Sequence, residues 1–298
     1  MKLREVWPSL RATWRVCRLS SAVLKRSAEK PLPVIVTLTS IPSRLRTLHL
    51  TIRSLLAQST KPERIVLWLH RDLEHSLPQS LVELQGEVFQ IHYVDLTCSH
   101  RKLIHSLTAF PDRVLVTCDD DEIYEETWLE RLYRDHLQFP GDVIAHECRR
   151  IAYGADGAPL PYRKWRTLTQ AGAAGMDLLP IGYGGVLYPP GALMPEATDV
   201  DLFMRLAPKA DDLWFKAMSF RKGTRVRRSR DPLPKPVGII GSQWVSLQKT
   251  NVHEDANRLQ WLAICEHFGI ELEPRPAQRK AGPLLMLWLY FSSCWRLS

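Results

Sequence analysis

The residues best suited to chemistry fall in two acidic clusters. The first is Cys118-Asp119-Asp120-Asp121-Glu122, directly after a run of Val and Leu that reads as a strand. Open α/β sheets place ligands at the carboxyl ends of their strands. Carboxylates crowded at one such end repel each other unless a cation or hydrogen-bond donors sit between them. Oxygen ligands of this kind suit Mg²⁺ or Mn²⁺, which keep waters and bridge to substrate phosphates. A solvated acidic turn fits the same residues, because helix N-termini favour Asp and Glu. The second cluster, Asp211-Asp212, opens another helix within Ala210–Phe215. Alone it reads as a helix cap. Together the clusters permit a division of labour: one holds a metal–diphosphate, the other takes a proton from an incoming hydroxyl.

The elements that must position these acids alternate between two periods. Val34–Leu38, Arg64–Leu69, Val88–Val94, Arg113–Cys118 and Val143–Ala145 read as buried strands. Ser43 can cap a helix through Leu45, Leu48, Ile52, Leu55 and Leu56. Further helices run through Leu103, Ile104 and Leu107, and through Trp128, Leu129 and Leu132. The order predicts an α/β fold, a single Rossmann-type domain with a mainly parallel central sheet and helices on both faces. Residues 154–197, including Gly182–Gly191, have loop and short-strand composition. Helices resume at Leu202–Leu206 and from Asp211, and a last one carries Trp261, Ile264, Cys265 and Phe268. The divisions expected are a basic amphipathic segment over 1–30, a catalytic domain over 31–275 and an apolar tail over 276–298.

The ordered set Thr37–Arg44, Lys102-Leu103-Ile104, Val116–Tyr124, Gly184–Gly191 and Ala210–Lys216 resembles the GT-A-type glycosyltransferases. More narrowly, it is similar to the bacterial branch that builds capsule and lipopolysaccharide glycans. The resemblance covers roughly residues 33–265. It implies a GT-A-like domain that uses a nucleotide-sugar donor, a UDP-sugar, and Mn²⁺ or Mg²⁺. The acceptor would be a hydroxyl of a glycan or a lipid-linked glycan, and the sugar moved a hexose or N-acetylhexosamine. On this resemblance Thr37, Ser40 and Arg44 hold the base, and Lys102 lies near the phosphates. Asp121 binds the metal, Asp119 holds ribose or metal, and Asp120 contacts the sugar. Gly184 and Gly185 line the pocket. Asp212 is the catalytic base, with Asp211 beside it, and His253 is the candidate third metal ligand.

The physical logic stands beside the resemblance. A departing nucleoside diphosphate develops negative charge that a divalent ion stabilises. A hydroxyl needs a carboxylate within about 3 Å to take its proton as it attacks. One carboxylate opposite the leaving group gives a single, inverting displacement. His100 and His105 flank Lys102 and read as helix-face residues. A nucleotide-sugar nucleotidyltransferase is the rival enzyme class. It usually carries a Gly-rich phosphate loop after the first strand, where this chain has Ser40-Ile41-Pro42-Ser43.

Composition sets the surroundings. The chain has 298 residues, 45% of them hydrophobic, enough for a sizeable core. Its net charge of +8 is concentrated in residues 1–30 and 221–235. Each segment is net +6, which leaves the rest at −4. No nucleic-acid motif accompanies the charge, so nucleic acid is not expected as a partner. Leu3, Trp7, Leu10, Trp14, Cys17, Ser21 and Leu24 share a helical face, with Arg4, Arg11, Arg18 and Lys25 beside it. That pattern suits an interfacial helix on an anionic membrane surface, starting at Pro8. Packing on the body is the alternative. The 221–230 block fits a solvated face, a salt-bridged edge strand or a contact with lipid diphosphate. Six cysteines without metal spacing suit a reducing compartment. No run reaches the ~18 apolar residues of a spanning helix, and Pro283–Phe291 comes nearest. The expected location is cytoplasmic, peripheral on the inner face of the cell membrane.

Overall fold

The structure is a computed structural model and describes residues 3–242 and 255–271. β1 (Leu32–Thr39) is central, because its neighbours are parallel strands on both sides. Val36 lies opposite Ile65 of β2 (Pro62–His70) and Val116 of β4 (Val114–Thr117). Both faces of β1 are covered. Val34, Val36 and Leu38 join one core, and Ile35 joins the other. A strand buried on both faces reads as a near-continuous apolar run, which is why its sequence is so legible. α3 (Leu45–Leu56) and α6 (Trp128–Gln138) cover the first face. α5 (Arg101–Ala109), α8 (Asp211–Arg221) and α9 (Ala256–Phe268) cover the second.

The main sheet has the order β3-β2-β1-β4-β10-β6-β11-β8. The chain steps outward from β1 through β2 to β3 (Phe89–Val94), by way of α3 and the short α4 (Gln79–Val82). It then returns through α5 to β4, on the other side of β1. The order therefore reverses between β1 and β4. Ligands in open α/β sheets bind outside the carboxyl ends of the two strands at such a point. Ser40 follows β1 there, and Asp119 follows β4.

The remaining strands complete the frame. β6 (Val143–Ala145) and β11 (Val226–Arg228) continue the sheet in the β4 direction. β10 (Val186–Tyr188) and β8 (Ala174–Gly175) run against their neighbours. Two small ribbons stand apart: β5 (Glu122–Ile123) with β12 (Val237–Gly238), and β7 (Cys148–Arg150) with β9 (Leu178–Pro180). α7 (Val200–Leu206) precedes α8. The expected α/β fold is found, mainly parallel with helices on both faces. β10 lies inside a stretch with loop composition, yet it sits between β4 and β6. Three apolar residues between Gly185 and Pro189 give too short a signal to distinguish a central strand from a loop.

Three local expectations are corrected. α1 (Leu3–Cys17) starts before Pro8, which stands inside it. The proline removes one ladder bond near the start, and packing outweighs that loss. Ser43 caps no helix. It lies in the 3₁₀ turn Pro42–Arg44, and Arg44 takes the cap position without a side-chain cap bond. The 221–230 block forms β11, which is not an edge, since β8 lies beyond it. Three of its charges are salt-bridged: Arg221 to Glu196 at 3.1 Å, Arg225 to Asp142 at 3.2 Å and Arg227 to Asp142 at 2.8 Å. The tail 276–298 lies outside the described residues. Among the described residues no helix is long and apolar enough to cross a membrane. The described cysteines form no disulfide, and Cys118 and Cys148 are buried.

The N-terminal segment packs onto the body. Ser9, Ala12 and Val16 of α1 face inward, the last two against Leu50, Ile123 and Ile239. Ser9 Oγ donates to Gly238 O at 2.8 Å. Arg53 Nε donates to Val16 O at 2.9 Å, and its Nη2 donates to Cys17 O and Leu19 O. A cation is favourable at a helix C-terminus, where carbonyls lack ladder partners. α2 (Ser21–Lys25) buries Leu24 against the first core, and Lys61 Nζ donates to Leu24 O at 2.8 Å. Val16 is 1% exposed, so Val16→Asp places an unpaired carboxylate in this contact. The substitution should cost about 3 kcal/mol of stability, read as a lower chemical-denaturation midpoint. An unchanged midpoint would mean that α1 does not dock.

Candidate functional site

The site is built around two buried cations. Lys102, in the first turn of α5, is 6% exposed. Its Nζ lies 2.9 Å from Asp119 Oδ1 and 2.8 Å from Asp211 Oδ2. Burial alone would lower its pKa. Asp119, Asp211 and Asp212 outweigh that and hold it well above the ordinary lysine value. Arg44, at the turn after β1, places Nη1 2.5 Å from Asp120 Oδ1 and Nη2 3.1 Å from Asp121 Oδ2. The acidic triplet therefore splits between two cations. Asp119 joins the Lys102 group, and Asp120 and Asp121 join the Arg44 group.

The two carboxylates that open α8 have opposite states. Burial would raise Asp211, but Lys102 and then His100 outweigh it and hold it below the ordinary value. Asp212 is pushed up to about 7, first by burial and then by repulsion from Asp211 and Asp119, against the pull of Lys102. One ammonium cannot satisfy three carboxylates. Asp212 is partly exposed, and its Oδ2 accepts from Gly182 N at 3.0 Å. A carboxyl group with a pKa near 7 is suited to general-base work near neutral pH.

The same shortage of positive charge appears further along. Asp121 is raised to about 7 by burial and then by Asp119, with Arg44 opposing. Glu122 is raised to about 8 by burial and then by Asp121, with Lys235 at 3.8 Å opposing. Asp120 is raised by burial, which prevails over Arg44 and Ser40. A divalent ion would relieve this repulsion, and the donor set is all oxygen, as Mg²⁺ or Mn²⁺ prefer. Among the described residues no three His, Cys, Asp or Glu side chains form a metal-holding group. Asp119 and Asp121 stand on different cations, the first on Lys102 and the second on Arg44. His253 lies outside the described residues.

Several expected residues stand elsewhere in the network. The Thr37 hydroxyl is fully buried and holds α5: it donates to Lys102 O at 2.5 Å and lies 2.7 Å from Ser106 Oγ. It is thus committed inside the protein, where it ties α5 to β1. Ser40 Oγ donates to Asp120 Oδ2 at 2.5 Å, so it too is engaged inside the protein. Arg44 faces carboxylates. Asp120 spends one oxygen on Ser40 and the other on Arg44, and acts as a bracket between them. His100 stacks on Phe203 at 4.2 Å, and burial lowers it to about 4, a core histidine. His105 faces the Trp68 ring at 5.2 Å.

The glycines divide by neighbour. A Cβ on Gly182 would lie 2.8 Å from Asp212 Oδ1, 2.9 Å from Lys102 Nζ and 3.5 Å from Asp119 Oδ1. Gly182 therefore lies against acids of both clusters, Asp119 and Asp212, and sequence reasoning missed it. Gly184 instead faces the Glu147 backbone at 3.3 Å. Gly185 has φ +95°, and its Cβ would strike the Trp128 indole at 2.5 Å. Trp128 Nε1 donates to Gly184 O at 2.8 Å, which closes that approach. Tyr124 joins the glycine turn to the acids: its hydroxyl accepts from Asp119 N at 2.9 Å and donates to Tyr183 O at 3.0 Å. Arg101 is the other residue that sequence reasoning missed. It clamps the end of β1, donating from Nη2 to Ser40 O at 2.8 Å and from Nε to Thr39 Oγ1 at 2.7 Å.

No family model matches the chain, and no curated protein matches it. Among solved structures it is similar to CMP:2-keto-3-deoxy-manno-octonic acid synthetase complexed with CTP. The two share 12% identity at a TM-score of 0.37, over 70% of this chain and 94% of the other. No residue of this chain takes a role from that likeness.

The glycines yield a paired prediction. Gly182→Ala presses on the ends of two side chains, so the fold should survive while turnover of a nucleotide substrate falls about 100-fold. Gly185→Ala meets both a forbidden φ and an indole, so it should lose about 2 kcal/mol or more of stability. Unfolding curves and rates measured on both variants check this. The assignment fails if the two effects are exchanged.

Proposed function

We propose that this chain is a nucleotide-sugar transferase of the glycosyl-transferring kind. It moves a sugar from a nucleoside-diphosphate donor, a UDP-sugar, to a hydroxyl of a glycan or lipid-linked acceptor, with inversion. The observation that carries the proposal is the division between Asp211 and Asp212. Adjacent in sequence, one is held ionised by Lys102, and the other is poised near pH 7. The poised carboxylate lies beside Gly182, as does Asp119, the first acid after β4.

The residues then take distinct tasks. Asp212 Oδ2 is fixed by the Gly182 amide, which leaves Oδ1 to accept the acceptor's hydroxyl proton. As that proton moves, the acceptor oxygen bonds to the anomeric carbon. The bond from that carbon to the β-phosphate oxygen breaks, and its electron pair leaves with the nucleoside diphosphate. Lys102 sets the position of Asp119 and presents fixed positive charge beside the leaving group. Mn²⁺ or Mg²⁺ held by Asp119 and Asp121 would supply Lewis-acid neutralisation of the leaving diphosphate. Arg44 bridges Asp120 and Asp121 and offsets their mutual repulsion.

A second reading, a nucleotide-sugar nucleotidyltransferase, is favoured by one observation. Arg44 brings a cation to the turn directly after β1, the place where such enzymes receive a triphosphate. The products separate the two. Glycosyl transfer releases a nucleoside diphosphate from a nucleotide sugar, with Mn²⁺ or Mg²⁺ in a donor panel. Nucleotidyl transfer releases pyrophosphate from a nucleoside triphosphate and a sugar. Pyrophosphate as the only product would replace the first reading with the second.

Two further outcomes are expected. Asp121→Ala should remove the dependence of turnover on divalent metal, and undiminished metal-stimulated turnover would sink the metal assignment. Asp212 must be ionised to accept a proton, so kcat/KM should rise with pH through about 7 and level off above it. Asp212→Asn should cut transfer about 10³-fold, with donor binding nearly intact, and should abolish that rise. Asp211→Asn should instead keep the rise and move it to lower pH, because Asp211 is one of the charges that raise Asp212. The reverse pattern would move the base by one residue.

A further inference from the structure

α1 has three faces. At roughly 100° per residue, Ser9, Ala12 and Val16 form the buried one. Trp7, Leu10 and Trp14 form a second, at 79%, 47% and 62% exposed, with exposed Cys17 at its end. Arg4, Arg11 and Arg18, all exposed, recur every seven residues along its border. Arg18 lies over the Trp14 ring at 4.9 Å. The aromatic stripe is therefore not the face that holds the helix to the protein. A helix that needed only to pack would gain nothing from two tryptophans in water.

We infer that this outer face docks the protein onto an anionic phospholipid surface, with α1 lying in the interface. Charge complementarity selects the occupant. Arg4, Arg11 and Arg18 form no salt bridge among the described residues. In the other basic segment Arg221, Arg225, Arg227 and Lys235 do, while Lys222, Arg228 and Arg230 do not. Tryptophan, with an apolar ring and one N–H donor, suits the boundary between headgroups and acyl chains. The stripe offers roughly 400 Å² of apolar area, about half of what one partner contributes to a standard protein interface. That is too narrow for a second copy and adequate for shallow insertion beside anionic headgroups.

The docking face is rigidly joined to the site. Ser9 bonds Gly238 O, Ile123 packs under Ala12 and Val16, and Ile239 N donates to Asp121 O at 2.9 Å. Deleting the segment would expose Ile123 and Ile239 and would test folding instead of docking. The inference rests on α1 alone and holds whichever reaction the chain performs.

The test is flotation of the full chain with vesicles of phosphatidylcholine alone or with about 30% phosphatidylglycerol. Wild type should float with the anionic vesicles and be released at about 0.5 M salt. Trp7→Ser/Trp14→Ser should lower the partition coefficient about tenfold or more. Arg4→Gln/Arg11→Gln/Arg18→Gln should lower it about 100-fold on anionic vesicles only. Both variants should keep the wild-type unfolding midpoint, because every changed residue is exposed. Three results would overturn the inference: wild type that does not float, a tryptophan variant that floats as wild type does, or a wild-type dimer that the tryptophan variant dissociates.

Discussion

A single buried ammonium organises the centre of this protein. Lys102 joins the end of β4, through Asp119, to the start of α8, through Asp211. Its carbonyl accepts from Thr37, which ties α5 to β1. A pair of unit charges about 3 Å apart attracts by roughly 5–6 kcal/mol at an effective dielectric of 20. That exceeds a burial penalty of several kcal/mol only when the partners are well placed, and two carboxylates within 3 Å meet the condition. Gly182 leaves the space in which they meet, because a Cβ there would lie 2.9 Å from the ammonium.

The chemistry follows from what this ammonium leaves unsatisfied. Asp119 and Asp211 occupy it, and Asp212, crowded beside them, rises to about 7. Arg44 plays the parallel part for Asp120 and Asp121, and again too little positive charge is present, since Asp121 and Glu122 also rise. The site is thus a set of carboxylates held slightly short of cations. Such a set is costly as pure architecture and useful where a further cation and a proton must be received. The raised groups also set a sign on stability. Their folded-state pKa values exceed the ordinary carboxylate range, so they favour the fold at low pH. That contribution is lost as pH rises through about 7 to 8.

The strands of the sheet were legible because they are buried on both faces, and so were the two acid clusters, which the topology gathers around Lys102. Side-chain direction was not legible. Thr37 lies near the end of the first strand and Ser40 just after it, as expected of ligand contacts, yet both hydroxyls turn inward, one to α5 and one to Asp120. Nothing in local order says whether Arg44 faces a base or an acid. Of the three glycines in Gly182-Tyr183-Gly184-Gly185, only φ values and neighbours separate the one at the carboxylates from the one under the indole. α1 misled for a related reason. Its buried face is Ser9, Ala12 and Val16, small and weakly apolar, so hydrophobic periodicity finds the tryptophan stripe on another side.

The two basic segments carry the same net charge and have opposite fates. In residues 221–235, Asp142 and Glu196 pair with Arg221, Arg225 and Arg227 where β11 and its flanks cross the body. In residues 1–30, Arg4, Arg11 and Arg18 stand exposed along one edge of α1. An arginine held by a buried aspartate adds little to the potential felt by an approaching anion, whereas a row of solvated arginines adds fully. Solvated arginines without an acidic partner among the described residues thus line one edge of the N-terminal helix. That helix also braces the ribbon behind Asp121. On the docking inference, recognition of an anionic surface and alignment of the acidic segment fall to one rigid element, whose buried and outer faces can be altered independently.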